Sequence, residues 1–97
     1  MKIELKKFGT TLISRQSGRE AYSAFLPSIN TVSDEDNIEV DFSGVITFSP
    51  SWGDEFLTKL QDRFGDRFLL KKSDNPSVQA TIDILEQVSN KKFKIIE

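Results

Sequence analysis

The chain has 97 residues, 37% of them apolar and 29% charged, which makes one globular domain with a modest core and excludes a disordered tail. Cysteine and histidine are both absent, which removes disulfides, thiol nucleophiles, imidazole general bases and His-ligated metals. A formal net charge of −2 leaves no polycationic footprint for nucleic acid.

No apolar run approaches the ~18 residues of a membrane span. The opening Met1-Lys2-Ile3-Glu4-Leu5 lacks an apolar stretch followed by small residues, so a secretory leader is not expected and a cytoplasmic location is. With no repeat, low-complexity tract or linker in view, residues 1–97 read as a single domain.

Lys2 to Phe8 reads as a strand with Ile3 and Leu5 on one face. Gly9-Thr10 reads as a tight turn, and Thr11 to Ser14 as the second arm of a hairpin. Ser17 has the character of a helix N-cap, with Glu20 completing a capping box. The helix is predicted over 18–29, with Ala21, Phe25 and Ile29 as its buried stripe and Tyr22 and Leu26 beside it. Pro27 predicts a kink or an early end, because it removes a helical donor. Residues 30–37 are polar and acidic, a surface loop.

Ile38 to Phe42 alternates strictly and reads as a half-buried strand, broken by Ser43-Gly44. Val45 to Phe48 is a short extended connector. Ser49-Pro50-Ser51 opens the strongest helix, in which Trp52, Phe56, Leu60 and Phe64 recur every fourth residue and Gly65 supplies the stop. Phe68 to Lys71 is another strand. Ser73-Asp74-Asn75-Pro76 is turn chemistry before a third helix, whose stripe is Val78, Ile82, Leu85 and Val88. Phe93 to Ile96 reads as a short last strand or a frayed tail.

The order β-β-α-β-α-β-α predicts an α/β domain. We expect a mixed sheet of about four to five strands, antiparallel at its first hairpin, with three main helices packed mostly on one face. Val40, Phe42, Phe56, Leu60, Leu69, Ile82 and Leu85 are the expected core.

Without cysteine or histidine, catalysis would need carboxylates, lysines and serines alone, and no lysine stands beside Ser51 in sequence. The five glycines are scattered and form no phosphate loop. No enzyme and no cofactor is therefore expected. Asp54 and Glu55, with Asp41, are the carboxylates that could hold a divalent ion, and no metal site is expected. Arg15 and Arg19 read as solvated charge or as contacts for a partner carboxylate or phosphate. Ser49 or Ser51, at a helix start, reads as an N-cap. A phosphate on Ser51 would also meet free N–H groups there. Trp52 reads as core or as a partner anchor.

The stretch Asp41-Phe42-Ser43-Gly44-Val45, followed by Ser49-Pro50-Ser51-Trp52, resembles the central motif of the STAS family. That domain is shared by sulfate-type anion transporters and antagonists of anti-sigma factors. Phe8-Gly9, Ser14-Arg15 and Asp54-Glu55 extend the likeness to a bacterial STAS-like branch of unknown function, over roughly residues 5 to 87. Ser49, Pro50 and Trp52 stand where the motif has Asp, Ser and Gly. The resemblance implies a STAS-like fold and a non-catalytic regulatory interaction domain. It implies Ser51 as the phosphorylation site, and a partner that is an ATP-binding serine-kinase or histidine-kinase-like protein. The partner surface is expected at Asp41, Ser49, Ser51, Trp52 and Asp54. A constitutive adaptor without a phosphoswitch, or a small-ligand (nucleotide) module, remain the alternative readings.

Overall fold

Ile3, Ile38, Val40, Phe68 and Leu70 are all but fully buried, and each alternates with a less buried neighbour. That period of two marks strands covered on one face only. In the computed structural model, which describes all 97 residues, they lie on β1 (Lys2–Glu4), β3 (Ile38–Asp41) and β5 (Phe68–Lys71). With β6 (Lys94–Ile96) these form a four-stranded sheet in the order β1-β3-β5-β6, every pair parallel. Two short strands, β2 (Thr11–Leu12) and β4 (Thr47–Phe48), pair in parallel as a second small sheet.

The expected class, an α/β domain with three main helices, is the observed one, but the sheet is not mixed. The predicted hairpin over Lys2–Ser14 does not form. Residues Leu5–Phe8 turn as a 3-10 segment, and Leu5 is swallowed by the core. Phe8 packs its ring 5.3 Å from Phe56 and 6.0 Å from Phe25. Those contacts carry the chain forward into a second layer, so β2 pairs with β4 and not back onto β1.

Helix α1 (Arg15–Ile29) starts three residues earlier than predicted. The cap is Ser14, whose side chain accepts from the Ser17 N–H at 3.0 Å. Ser17 and Glu20 mimic a capping box from inside the first turns. The stripe Ala21, Phe25 and Ile29 is buried as expected, and the helix runs two residues past Pro27. Pro27 is exposed, and the carbonyl it leaves without a helical donor belongs to exposed Ser23.

Helix α2 spans residues 50–64 as Pro50–Gly53, a π-turn at Asp54–Thr58, and Lys59–Phe64. The widened turn brings Glu55, Phe56 and Leu57, three consecutive residues, out of solvent. Gly65 closes the helix at φ 58, a backbone state only glycine adopts cheaply. Trp52 stacks on Phe56 at 5.1 Å and meets Phe48 at 5.8 Å. Burying each of these large side chains contributes about 1.5–3 kcal/mol.

Helix α3 (Pro76–Ser89) buries Val78, Thr81 and Leu85. Its stripe therefore runs through Thr81, whose hydroxyl donates to the Phe48 carbonyl at 2.7 Å. Ile82 is half-buried at the rim of a cavity beside Lys71 and Ile95, and Val88 is 79% exposed. Of the expected core, Val40, Phe42, Phe56, Leu60 and Leu85 are buried, while Leu69 is half-buried because it faces the uncovered side of the sheet. By register and alternation, that side presents Lys2, Glu4, Glu39, Asp41, Lys71 and Lys94, balanced in sign. The helices accordingly cover one face.

Candidate functional site

In a parallel sheet the helix N-termini gather at the carboxyl edge of the strands, where ligands and partners are usually met. Here the starts of α1 and α2 lie side by side. Ser49 caps α2 by accepting from the Trp52 N–H at 3.2 Å, and its hydroxyl donates to the carbonyl of Ile13, just before the α1 cap. One serine thereby serves both helix starts. Pro50 follows at the first helical position, where its missing N–H costs nothing.

Ser51 is exposed, and its hydroxyl makes no hydrogen bond within the chain. The capping role is filled by Ser49, so Ser51 is free of it. Trp52 is 0% exposed, which corrects its assignment to the partner surface. Its indole packs among Phe8, Phe48 and Phe56, and its Nε1–H has no acceptor. The every-fourth-residue pattern with Phe56, Leu60 and Phe64 already carried that signal.

Asp41, expected as a partner contact, is mostly withdrawn from solvent. It is 8% exposed, and its carboxylate accepts from the Ser43 N–H at 2.9 Å and the Ser43 hydroxyl at 2.8 Å. The Ser43 N–H is the main cause holding its carboxyl below the usual range, the Ser43 hydroxyl adds to it, partial burial opposes, and the charges of Lys2, an ion pair at 3.7 Å, and of Lys71 assist. Asp41 thus builds the turn that redirects the chain from β3 to β4. It lines a separate cavity of about 320 Å³ with Ser43, Gly44, Lys72, Asp74 and Asn75. Asn75 is likewise committed there, donating to the carbonyls of Val45 and Ile46 and accepting from Ser77.

Asp54 and Glu55 belong to a different group, made by packing α1 on α2. Arg15 Nη1 donates to Asp54 Oδ2 at 2.9 Å and to Glu55 Oε2 at 3.0 Å. Glu55 Oε1 accepts from Lys59 at 3.0 Å and from Arg19 at 3.5 Å. Lys59 is the leading cause that holds the Glu55 carboxyl below its usual range, with burial opposing and Arg15 assisting. Asp54, among the expected partner contacts, is half-exposed beside Ser51. From sequence, Arg15 stood before the predicted first helix, Arg19 on it, and Asp54 and Glu55 in the first turn of the second, with nothing to join them. The joining residue is Gly18, where a Cβ would lie 2.7 Å from the Trp52 carbonyl oxygen and 3.2 Å from Glu55 Cβ.

Beside this helix start, Ile13, whose carbonyl accepts from Ser49, is 50% exposed. The tip therefore combines an open hydroxyl, a salt-bridged cluster and an exposed aliphatic side chain, the mixture of a protein-contact surface.

A parallel sheet under three helices, with a Ser-Pro-Ser helix start at its carboxyl edge, defines an α/β domain of STAS-like type. The chain belongs to the family described as STAS-like domain of unknown function (DUF4325), whose family model matches residues 18–78. No curated protein and no solved structure matches the chain. No helix is long and apolar enough to cross a membrane.

Proposed function

We propose that this chain is a small non-catalytic regulatory domain whose first α2 turn is its partner surface, switched by phosphorylation of Ser51. The observation that carries the reading is the division of labour between two serines. Ser49 holds the helix, and Ser51 presents an unused hydroxyl. The likeness of residues 41–45 and 49–52 to anti-sigma factor antagonists supports an ATP-binding, kinase-like protein as the partner. In the modification, Ser51 Oγ forms a bond to the γ-phosphorus of the partner's ATP. The bond from that phosphorus to the β,γ-bridging oxygen breaks, ADP leaves, and the hydroxyl proton passes to a carboxylate of the partner or to water.

The contact residues of this reading are Ser51, Asp54, Arg15 and the aliphatic side chain of Ile13. Adding a phosphate changes the charge of that surface by about −1.5 to −2. A partner that buries the tip would then have to desolvate a dianion, which weakens the complex.

The test uses protein purified from its native host, analysed for phosphate at Ser51. It is joined to capture assays with the wild type, Ser51→Arg and a control on the opposite sheet face, Lys94→Glu. Phosphate on Ser51, with capture of a kinase-like ATPase lost in Ser51→Arg and kept in Lys94→Glu, supports the reading. Equal capture by all three would move the interface elsewhere. Protein without phosphate at Ser51 under every growth condition would leave the domain an adaptor with no switch.

A further inference from the structure

The guanidinium of Arg15 occupies a particular place on α2. Ser51, Asp54 and Glu55 stand at i, i+3 and i+4, so the two carboxylates flank the helix surface one turn below Ser51. Arg15 bridges both from a single nitrogen. It reaches them from one turn before Gly18, the residue at which α1 lies against Trp52, so its stem passes α2 at the level of its first turn. Three cations, Arg15, Arg19 and Lys59, face two carboxylates, leaving one positive charge over. Glu55 keeps two other donors if Arg15 leaves, whereas Asp54 has Arg15 alone.

From this arrangement we infer that Arg15 reads the modification state of Ser51: a phosphate there draws the guanidinium off Asp54, and Asp54 becomes an unpaired surface carboxylate. The inference rests on the reading of Ser51 as a phosphorylation site and names how that site is sensed. A phosphate dianion presents three acceptor oxygens to a planar fork of donors, a better match than one oxygen from each of two carboxylates. Lys59 and Arg19 hold Glu55 in place, so the exchange is local and the packing of α1 on α2 at Gly18 survives it. The modified tip differs from the unmodified one at two points, a paired phosphate and a released Asp54. A partner can therefore distinguish it from a mere acidic substitution at position 51.

The experiment installs phosphoserine at position 51 during synthesis, so its outcome does not depend on any kinase. The ³¹P resonance is then titrated with pH in the wild-type background, in Arg15→Gln and in Arg15→Lys. Arg15 is exposed, and folding of each variant is checked by its amide spectrum. The expected result is a phosphate pKa lower in the wild-type background than in Arg15→Gln by about half a unit or more, with Arg15→Lys between them. Mobility of the Arg15 side chain should fall on modification, read from its guanidinium ¹⁵N signals. Identical phosphate pKa values in all three proteins, or a pKa raised by Asp54 and Glu55, would overturn the inference. Native protein free of phosphate overturns the functional reading alone, and leaves this result standing or falling by itself.

Discussion

The chain builds the same unit twice, and the two copies differ where it matters. Residues 2–29 and 38–64 each run as a main-sheet strand, a turn, a two-residue strand, a serine cap and a helix. Ser14 and Ser49 are the caps, and four residues after each comes a glycine, Gly18 and Gly53. Gly18 seats α1 on α2, and Gly53 seats α2 on α3 against Leu85 and Phe48. At cap plus three, however, the first unit has exposed Ser17 and the second has buried Trp52. The first helix start is thus cationic and adaptable. The second is pinned by an aromatic cluster and presents carboxylates. A rigid tip facing a charged neighbour is an arrangement suited to recognition.

Removing the pin should have the largest effect. Trp52→Ala is expected to cost about 3–5 kcal/mol by chemical denaturation. Trp52→Phe should cost far less than that, because the indole N–H it deletes has no acceptor. A loss in Trp52→Ala below ~0.5 kcal/mol would mean that the two units are pinned equally.

The two glycines separate next. At Gly18 the added methyl meets a backbone oxygen at 2.7 Å, which cannot yield without moving α2. Gly18→Ala should destabilise by about 1–3 kcal/mol. At Gly53 the nearest atom is the end of the Leu85 side chain at 3.0 Å, which can rotate. There the helical gain of alanine, about 0.5–1 kcal/mol, offsets much of the strain. Equal thermal shifts for the two variants would contradict this ordering.

The caps should differ by one hydrogen bond: Ser14→Ala is expected to lose about 1 kcal/mol and Ser49→Ala somewhat more, because the Ser49 hydroxyl also donates to the Ile13 carbonyl. Acid should act on the second unit, which holds both carboxylates with lowered pKa values. Glu55 and Asp41 have folded pKa values below their unfolded ones, so their contribution is present above the unfolded carboxylate range and is lost as pH falls through the folded values. The urea midpoint is expected to drop on acidification below about pH 4, and Glu55→Gln should flatten that drop. Smallest of all, Ser51→Ala should change stability by less than ~0.5 kcal/mol, since its hydroxyl bonds to nothing in the chain.

The second unit was far more legible in the sequence than the first. Ser49-Pro50, the four-residue spacing from Trp52 to Phe64 and Gly65 state a helix from cap to stop, and the strand predicted over Ile38–Phe42 forms over Ile38–Asp41. Two-residue strands leave no period to detect, so Thr11-Leu12 read as half of a hairpin. Parallel partners are also distant in sequence: Thr11 pairs with Thr47, and no local pattern says so. The same distance hid the Arg15–Glu55 cluster. Its one local trace was Glu55 and Lys59 at i, i+4.

One feature of β4 has a bearing on how such domains behave at high concentration. Its outer edge, opposite β2, is closed by side chains of the α3 start. The Ser77 hydroxyl accepts from the Phe48 N–H and donates to the Phe48 carbonyl, Thr81 donates to the same carbonyl, and Asn75 takes those of Val45 and Ile46. Three polar residues thus stand in for a missing strand. An open strand edge is a template on which foreign chains grow fibrils or exchange segments. Here that template is blanked on one side by the chain's own helix. A variant such as Ser77→Ala would uncover it, and the consequence to look for is self-association on storage rather than any loss of the native fold.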